Sequence, residues 1–517
     1  MGSLAGKHSS TLAGAAYGTG LGPLAGWGFS AGVALAVVAG LASAWLMPRG
    51  PITSVHALWS LALAALVGAG AGYLSGNRWT VLTVPTVYLL VFELARLRVE
   101  GPTVDGVHLG SGLYGVIAFV LGRVFPALLT LVPLAVGTVF GIALTNRLDN
   151  GSARPLSAPW LILSGVTMLA LALLAFVIAR PARTAPIIGV EGQPVANGIA
   201  ELLYVPIGGH DQALMIRGRD IDNPVLLYLT GGPGGTDIGA MRRDVTLEQD
   251  FTVVTWDQRG AGKSYAAIDP IGTLTLAQMV SDTVELTDYL RQRFGQEKVF
   301  LVGQSWGSTL GILTVQQHPE RYHAFVGVGQ MVSQRATDVM FWEDALAWAE
   351  RTGDTRLATR LRRNGPPPYT DMLAYDPVVA HEHSWNAYPG FDGSNEMPGI
   401  LMVPEYTFLD RINAFRGFLD SAATLYPQLQ GLDFRVDAAR LEVPITMVLG
   451  EHEARGRAVL AEEWFALLDA PGKRSVVFEG AGHRANFDFP DRFAHVMREV
   501  LDAALITPLD LPYSSDP

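Results

Sequence analysis

Hydrophobic positions follow two different rhythms along this chain. In the first third they form near-continuous runs at residues 24–47, 55–74, 81–95, 124–144 and 160–179. Most approach the roughly 20 residues that carry a helix across a ~30 Å hydrocarbon layer. Arg49, Arg78, Arg147, Arg154 and Arg180 stand in the gaps, where charged side chains reach water. Five such runs in succession argue against the buried helices of a soluble protein. They predict an all-α transmembrane helix bundle over residues 1–180, multi-pass in the cell membrane with the lipid bilayer as its partner. A shorter run, residues 113–121, reads either as a sixth span or as an interfacial helix. The first run is too long for a signal-peptide core and others follow it, so it is expected to be retained. Arginines are spread almost evenly over alternate gaps, so the positive-inside rule assigns no side to the C-terminal half. Glu93, close to Arg96 and Arg98, is expected in an interfacial ion pair.

Beyond Arg180 the rhythm shortens. Residues 213–217, 225–229, 251–256, 299–302, 324–328, 445–449 and 475–478 read as strands, several of them continuous Val/Ile/Leu/Phe runs that suit a sheet covered on both faces. Leu276, Met279, Val280, Leu286 and Leu290 line one side of a helix before the fourth of these strands. Strand and helix in alternation predict an α/β fold with a mostly parallel sheet. Between 331 and 441 the alternation gives way to a stretch rich in Trp, Tyr, Phe and Pro. It reads as a helical cap inserted over the strand C-terminal ends, where open α/β sheets bind ligands. The soluble half thus divides into 181–330, the cap 331–441, and 442–517.

Composition sharpens this division. Charged residues make up only 16% of the 517 residues and hydrophobic ones 49%, and the charge deficit is confined to the N-terminal third. Cysteine is absent, which excludes disulfides, thiolate catalysis and cysteine metal sites. The net charge of −11 and the lack of a basic cluster argue against nucleic acid as a partner.

The chemistry concentrates in Gly303-Gln304-Ser305-Trp306-Gly307, where an apolar strand meets a helical run. A serine between two glycines at such a junction is the sequence form of a nucleophile elbow. Ser305 is the expected nucleophile, and a serine hydroxyl needs a base within hydrogen-bond reach. His483, in Gly480-Ala481-Gly482-His483, alone among the histidines follows the last predicted strand and is the expected base. The third member, an acid, should lie between them in the chain. Glu451 and Glu453 both follow the strand 445–449, and position alone does not separate them. For the oxyanion hole, one amide should be that of Trp306. The other should come from Gly231-Gly232-Pro233-Gly234-Gly235, with Gly232 the choice because Pro233 has no N–H.

Three motifs in order carry a family resemblance. Leu229-Thr230-Gly231-Gly232-Pro233-Gly234-Gly235, then Asp257-Gln258-Arg259-Gly260-Ala261-Gly262-Lys263-Ser264, then Gly303 to Ser308, resemble the proline iminopeptidase branch of the α/β-hydrolases. The likeness covers roughly residues 186–504. It implies an eight-stranded α/β-hydrolase sheet with a helical cap, and catalysis by Ser305 and His483 without metal or organic cofactor. In this family the acid stands three residues after a strand-end glycine, which from Gly450 gives Glu453 where aspartate is usual. The residue before Gly-Gly-Pro-Gly is usually histidine; here it is Thr230. The Asp257–Ser264 turn is read as structural, with Asp257 and Arg259 tying loops together.

The resemblance implies aminopeptidase action on small peptides, with a free amine recognised by acids of the cap, for which Glu343, Asp344, Glu382 and Glu405 are candidates. Similar sequences also include amidases and esterases, and a fold does not fix a substrate. Two other readings stand beside the membrane-anchored aminopeptidase or amidase. One is an esterase or lipase taking lipophilic acyl substrates; the other is a non-catalytic membrane sensor or scaffold. Oligomeric state is not assigned.

Overall fold

The computed structural model describes residues 23–150, 158–391 and 396–505; Arg154 lies outside them. Each of the five long apolar runs forms a helix: Pro23–Leu46 (α1), Ser54–Ser75 (α2), Thr80–Ala95 (α3), and two further on. Residues 113–121 are not a separate span. Leu113–Phe119 (α4) passes through a π turn at Val120–Val124 straight into Phe125–Asn150 (α5). Ala158–Ala179 (α6) completes the region. Three stretches, Trp27–Leu46, Ser54–Ser75 and the joined Leu113–Leu148, are long and apolar enough to cross a membrane; Thr80–Ala95 and Gly165–Ala179 are shorter apolar helices.

Small residues set the closest helix pair. A Cβ on Gly68 or Gly72 of α2 would strike the carbonyls of Leu134 or Thr138 on α5, and one on Gly137 or Gly141 would strike Ala65 or Ala69. The two backbones therefore approach to a distance that only glycine allows. Trp45, Leu66, Leu82 and Phe140 point outward and are exposed. Glu93 accepts from Arg96 at 2.6 Å and from Arg123 at 3.4 Å. Its second arginine thus comes from the π turn, where Arg98 was the neighbour expected.

The remainder is built on an eight-stranded sheet. Its strands are Ile199–Ile207 (β1), His210–Gly218 (β2), Val225–Leu229 (β3), Thr252–Trp256 (β4), Val299–Gln304 (β5), Tyr322–Val328 (β6), Ile445–Gly450 (β7) and Lys473–Phe478 (β8). The order is β1-β2-β4-β3-β5-β6-β7-β8, parallel from β4 to β8 and antiparallel at β1 and β2. Hydrophobic rhythm predicted seven strands and missed β1. That edge strand carries Glu201 and Pro206, which blur its pattern, and reaches β2 through the Gly208-Gly209 turn, both residues at positive φ. Along β3, Leu226 and Tyr228 enter one apolar core while Leu227 and Leu229 enter the other, so both faces are buried as the sequence implied.

Helices Leu276–Phe294 (α7), Trp306–Gln317 (α8), Gln334–Thr352 (α9), Phe408–Leu429 (α10), Arg455–Leu467 (α11) and Pro490–Leu505 (α12) surround this sheet. Between β6 and β7 the described residues form helices and no strand. The longest of these, α10, starts in a capping box of Thr407 and Asp410. Its buried side chains then reach into the N-terminal region. Asp420 accepts from the Thr103 amide at 3.0 Å, the Thr103 hydroxyl at 2.6 Å and Arg49 at 3.3 Å. Arg416 donates to the carbonyls of Pro51 and Leu121, and Asn413 to that of Ile52 at 2.6 Å. Buried charges persist only where their hydrogen bonds are satisfied: Asp420 is paired with Arg49, and Arg416 is held by backbone carbonyls. On the same side of α10, Gly417 touches the glycine loop after β3: a Cβ on Gly234 would collide with its carbonyl.

Candidate active site

Ser305 sits between β5 and α8 at φ 53°, ψ −120°. Among the described residues it is the one non-glycine with positive φ, a conformation that costs of order 1–3 kcal/mol and persists only when its surroundings enforce it. The enforcement is visible. A Cβ at Gly303 would strike the Gly307 carbonyl, and a Cβ at Gly307 would strike that of Leu229. The Ser305 amide donates to Val328 at 2.9 Å, and the Ser305 carbonyl accepts from the Ser308 amide at 2.8 Å.

His483 follows β8, and its Nδ1 lies 2.7 Å from Oε2 of Glu453, just after β7. With its proton on Nδ1, facing a carboxylate, the ring leaves Nε2 as the basic nitrogen. Glu453 is fully enclosed, and its Oε1 accepts from Arg457 at 2.6 Å and from the Ala454 amide at 2.9 Å. Burial alone would raise its pKa, but Arg457 and His483 outweigh it and bring it down to about 2. Glu451 is exposed and accepts from the Gly480 amide at 2.8 Å, steadying the turn that leads to His483.

The glycine loop after β3 runs beside the serine. A Cβ on Gly231 would lie 3.3 Å from that of Ser305. Among the described residues the amides of Gly232 and Trp306 have no protein acceptor. Gln258 ties this loop to the elbow, accepting from the Trp306 indole at 2.9 Å and donating to the Thr230 carbonyl at 3.2 Å. Asp257 accepts from Thr236 at the loop's end, from the Lys263 amide at 2.8 Å and from Tyr406 at 3.2 Å. Burial pushes its carboxyl up to about 7 against the pull of the Thr236 and Lys263 bonds. Arg259 pairs with Asp282 at 2.7 Å, both fully buried. The turn 257–264 thus braces loops, as its composition suggested.

Ser305, His483, Gly231 and Gly232 line one cavity of about 520 Å³. The four cap acids are placed differently. Glu382 reaches the wall, bonded to Arg457. Glu343 and Asp344 pair with Arg455 at the surface, each at 2.9 Å. Glu405 is buried away from the cavity lining and accepts from Arg242 at 2.9 Å. Asp237, which lines the cavity too, is paired with Arg484 at 2.6 Å. The Thr230 hydroxyl, at the position where histidine was expected, is buried without a hydrogen-bond partner among the described residues. Sequence reasoning passed over Gln258, which lay inside a quoted motif, and Arg457, four residues after Glu453. It had no signal for Leu113, Tyr114 and Ile117, which also line the cavity. Among the described residues no group of three His, Asp or Glu is placed to hold a metal ion.

Residues 224–490 match the model of the α/β hydrolase fold family. The chain belongs to the α/β-hydrolase family. It is 30% identical over 315 residues to the Bacillus subtilis (strain 168) protein named probable aminopeptidase YbaC, covering 59% of this chain and 97% of that one. A second relative, named probable proline iminopeptidase, from Leptolyngbya boryana, is 32% identical over 24% of this chain and 36% of its own length. Among solved structures, the proline iminopeptidase-related protein from Thermus thermophilus is 23% identical, with a TM-score of 0.40, over 60% of this chain and 99% of that one. This α/β-hydrolase is therefore an enzyme related to aminopeptidases and proline iminopeptidases, extended by an N-terminal helical region outside the family match.

Proposed function

We propose that this chain is a membrane-anchored serine hydrolase that cleaves acyl amides, N-terminal residues of short peptides first among them, through a Ser305–His483–Glu453 triad. The reading is carried by the 2.7 Å contact between the imidazole and a buried, ionised Glu453, in a cavity shared with a strained Ser305. His483 takes the Ser305 proton as Oγ attacks the carbonyl carbon. The amides of Gly232 and Trp306 hold the oxyanion, each worth about 2.7–4 kcal/mol in the transition state. His483 passes the proton to the departing amine as the C–N bond breaks, leaving an acyl-enzyme. Water, giving its proton to His483, then attacks the acyl carbon, and the proton returns to Ser305 as the acid leaves. Glu453 orients the ring and stabilises the imidazolium throughout. The peptide preference is drawn from the named relatives, and the membrane anchor from the three long apolar helices.

A second reading, an esterase for lipophilic acyl groups, is favoured by one observation. The cavity acids Glu382 and Asp237 are each bridged to an arginine, while much of the remaining wall is apolar. Purified full-length protein assayed on proline- and alanine-naphthylamides against nitrophenyl esters separates the two. Amide turnover that is lost in Ser305→Ala supports the first reading; esters alone turned over supports the second. No labelling of Ser305 by a fluorophosphonate rejects both.

A further inference from the structure

The cavity wall has two chemically unlike parts. One is polar: Thr230, the glycine loop, and the pairs Glu382–Arg457 and Asp237–Arg484. The other is apolar: Leu113, Tyr114 and Ile117 of α4 with Phe415, Phe418 and Leu419 of α10. Tyr114 meets Phe418 edge-on with ring centres 6.0 Å apart, and Ile117 and Phe418 pack on the buried trio Ala118, Leu373 and Leu419.

This wall is fixed in place. The buried carboxylate of Asp376 accepts the Tyr114 amide at 3.0 Å and pairs with Arg360 at 3.2 Å, while Arg360 also donates to the Ser111 carbonyl. Gly112 turns the chain into α4 at φ +96°, and any Cβ there would strike Asp376. At the other end, Gly122 lies so close to the Thr103 carbonyl that a Cβ would overlap it. A segment outside the hydrolase family match is thus held against the catalytic cavity by bonds specific to that position.

We propose that α4 and the facing part of α10 form a hydrophobic subsite, contributed jointly by the N-terminal region and the cap, that takes an aliphatic or aromatic group of the substrate. The proposal rests on the serine-hydrolase reading above and names where its specificity lies. A substrate with a polar reacting carbonyl and an apolar extension fits both parts at once. Burying that extension favours binding by about fourfold per methylene until the subsite is filled. Leu113 is exposed and Ile117 partly buried, so the two test differently enclosed parts of the wall.

The test uses full-length protein in one defined detergent. Two ester series are compared, nitrophenyl esters of acyl chains from two to twelve carbons, and acetates of alcohols of the same lengths. In the unaltered protein kcat/KM should climb with chain length in at least one series, which also shows whether the group sits on the acyl or the leaving side. Ile117→Trp should lower the long-to-short ratio by about tenfold, and Leu113→Glu should lower it for the longest chains. Leu113 is exposed, so its variant keeps the proposal testable if Ile117→Trp does not fold. A flat chain-length profile in both series, or ratios unchanged in both variants, overturns the subsite. Fluorophosphonate labelling of Ser305 is read in parallel: labelling with flat profiles rejects the subsite alone, whereas absent labelling and turnover reject the hydrolase reading itself.

Discussion

The floor of the cavity is made of turns at the ends of β3, β5, β6 and β8, whereas another part of its wall is made of helices drawn from the N-terminal region and from between β6 and β7. In the floor, the strained serine and the charged acid are fixed by near neighbours in the chain. Gly303 and Gly307 hold Ser305 in its strained conformation, and Arg457 lies four residues from the carboxylate it keeps charged. In the wall, position comes from partners hundreds of residues away, as in the bonds from Arg416 to Pro51 and from Thr103 to Asp420. Chemistry is therefore encoded locally here, and the shape around it is encoded by tertiary contact.

That contrast can be broken most forcefully at the floor. Ser305→Ala should reduce kcat by about 10⁶ while leaving thermal unfolding nearly unchanged, because a hydroxyl is removed and a strained backbone retained. Steady-state kinetics with calorimetry on the same preparation checks both halves. Glu453→Gln should cost about 10⁴ in kcat, whereas Glu451→Gln, which loses only an exposed bond to the Gly480 amide, should stay within about threefold. Equal damage from the two would reassign the acid.

At the junction the expected effect moves from rate to stability. Asp420→Leu removes the buried acceptor shared by the Thr103 amide and hydroxyl, the Tyr265 hydroxyl and Arg49, and should destabilise the full chain by about 3–5 kcal/mol. Thermal unfolding in detergent measures it. An unaffected midpoint would mean that the N-terminal region and the hydrolase are not held together through α10.

A pH series sharpens the same comparison. Glu453 binds its proton less tightly in the fold, at about 2 against an ordinary 4.5, so its contribution is full above pH 4.5 and disappears as pH falls toward 2. Acid unfolding followed by circular dichroism should lose part of its steepness in that window in Glu453→Gln. The smallest effect is expected at Thr230→Val. Removing a buried hydroxyl without a partner should raise stability by up to about 1 kcal/mol, and a clear loss would reveal a bond to water or substrate.

The legibility of the sequence follows the same division. The parallel sheet could be read because β3 to β7 are buried on both faces and appear as unbroken apolar runs. The elbow, the glycine loop and the Gly480–His483 turn could be read because steric demand confines each to a few adjacent residues. Glu453 required a family spacing to prefer it over Glu451, since both follow the same strand. β1 escaped because an edge strand tolerates Glu201 and Pro206 and so loses its rhythm. The pairing of Glu382 with Arg457 escaped because 75 residues separate them. The role of α4 could not be read at all: seven apolar residues look alike whether they face lipid, core or substrate.

The helix Leu113–Leu148 runs 36 residues, about 54 Å, continuing through the π turn at Val120–Val124. One tip borders the reacting serine's chamber and the rest is an apolar shaft. With its tip pinned to Asp376 and its shaft apolar, the rod ties one wall of that chamber to whatever surrounds the shaft. The detergent or lipid chosen for an assay is then a component of the reaction mixture, to be specified with the same care as buffer and temperature.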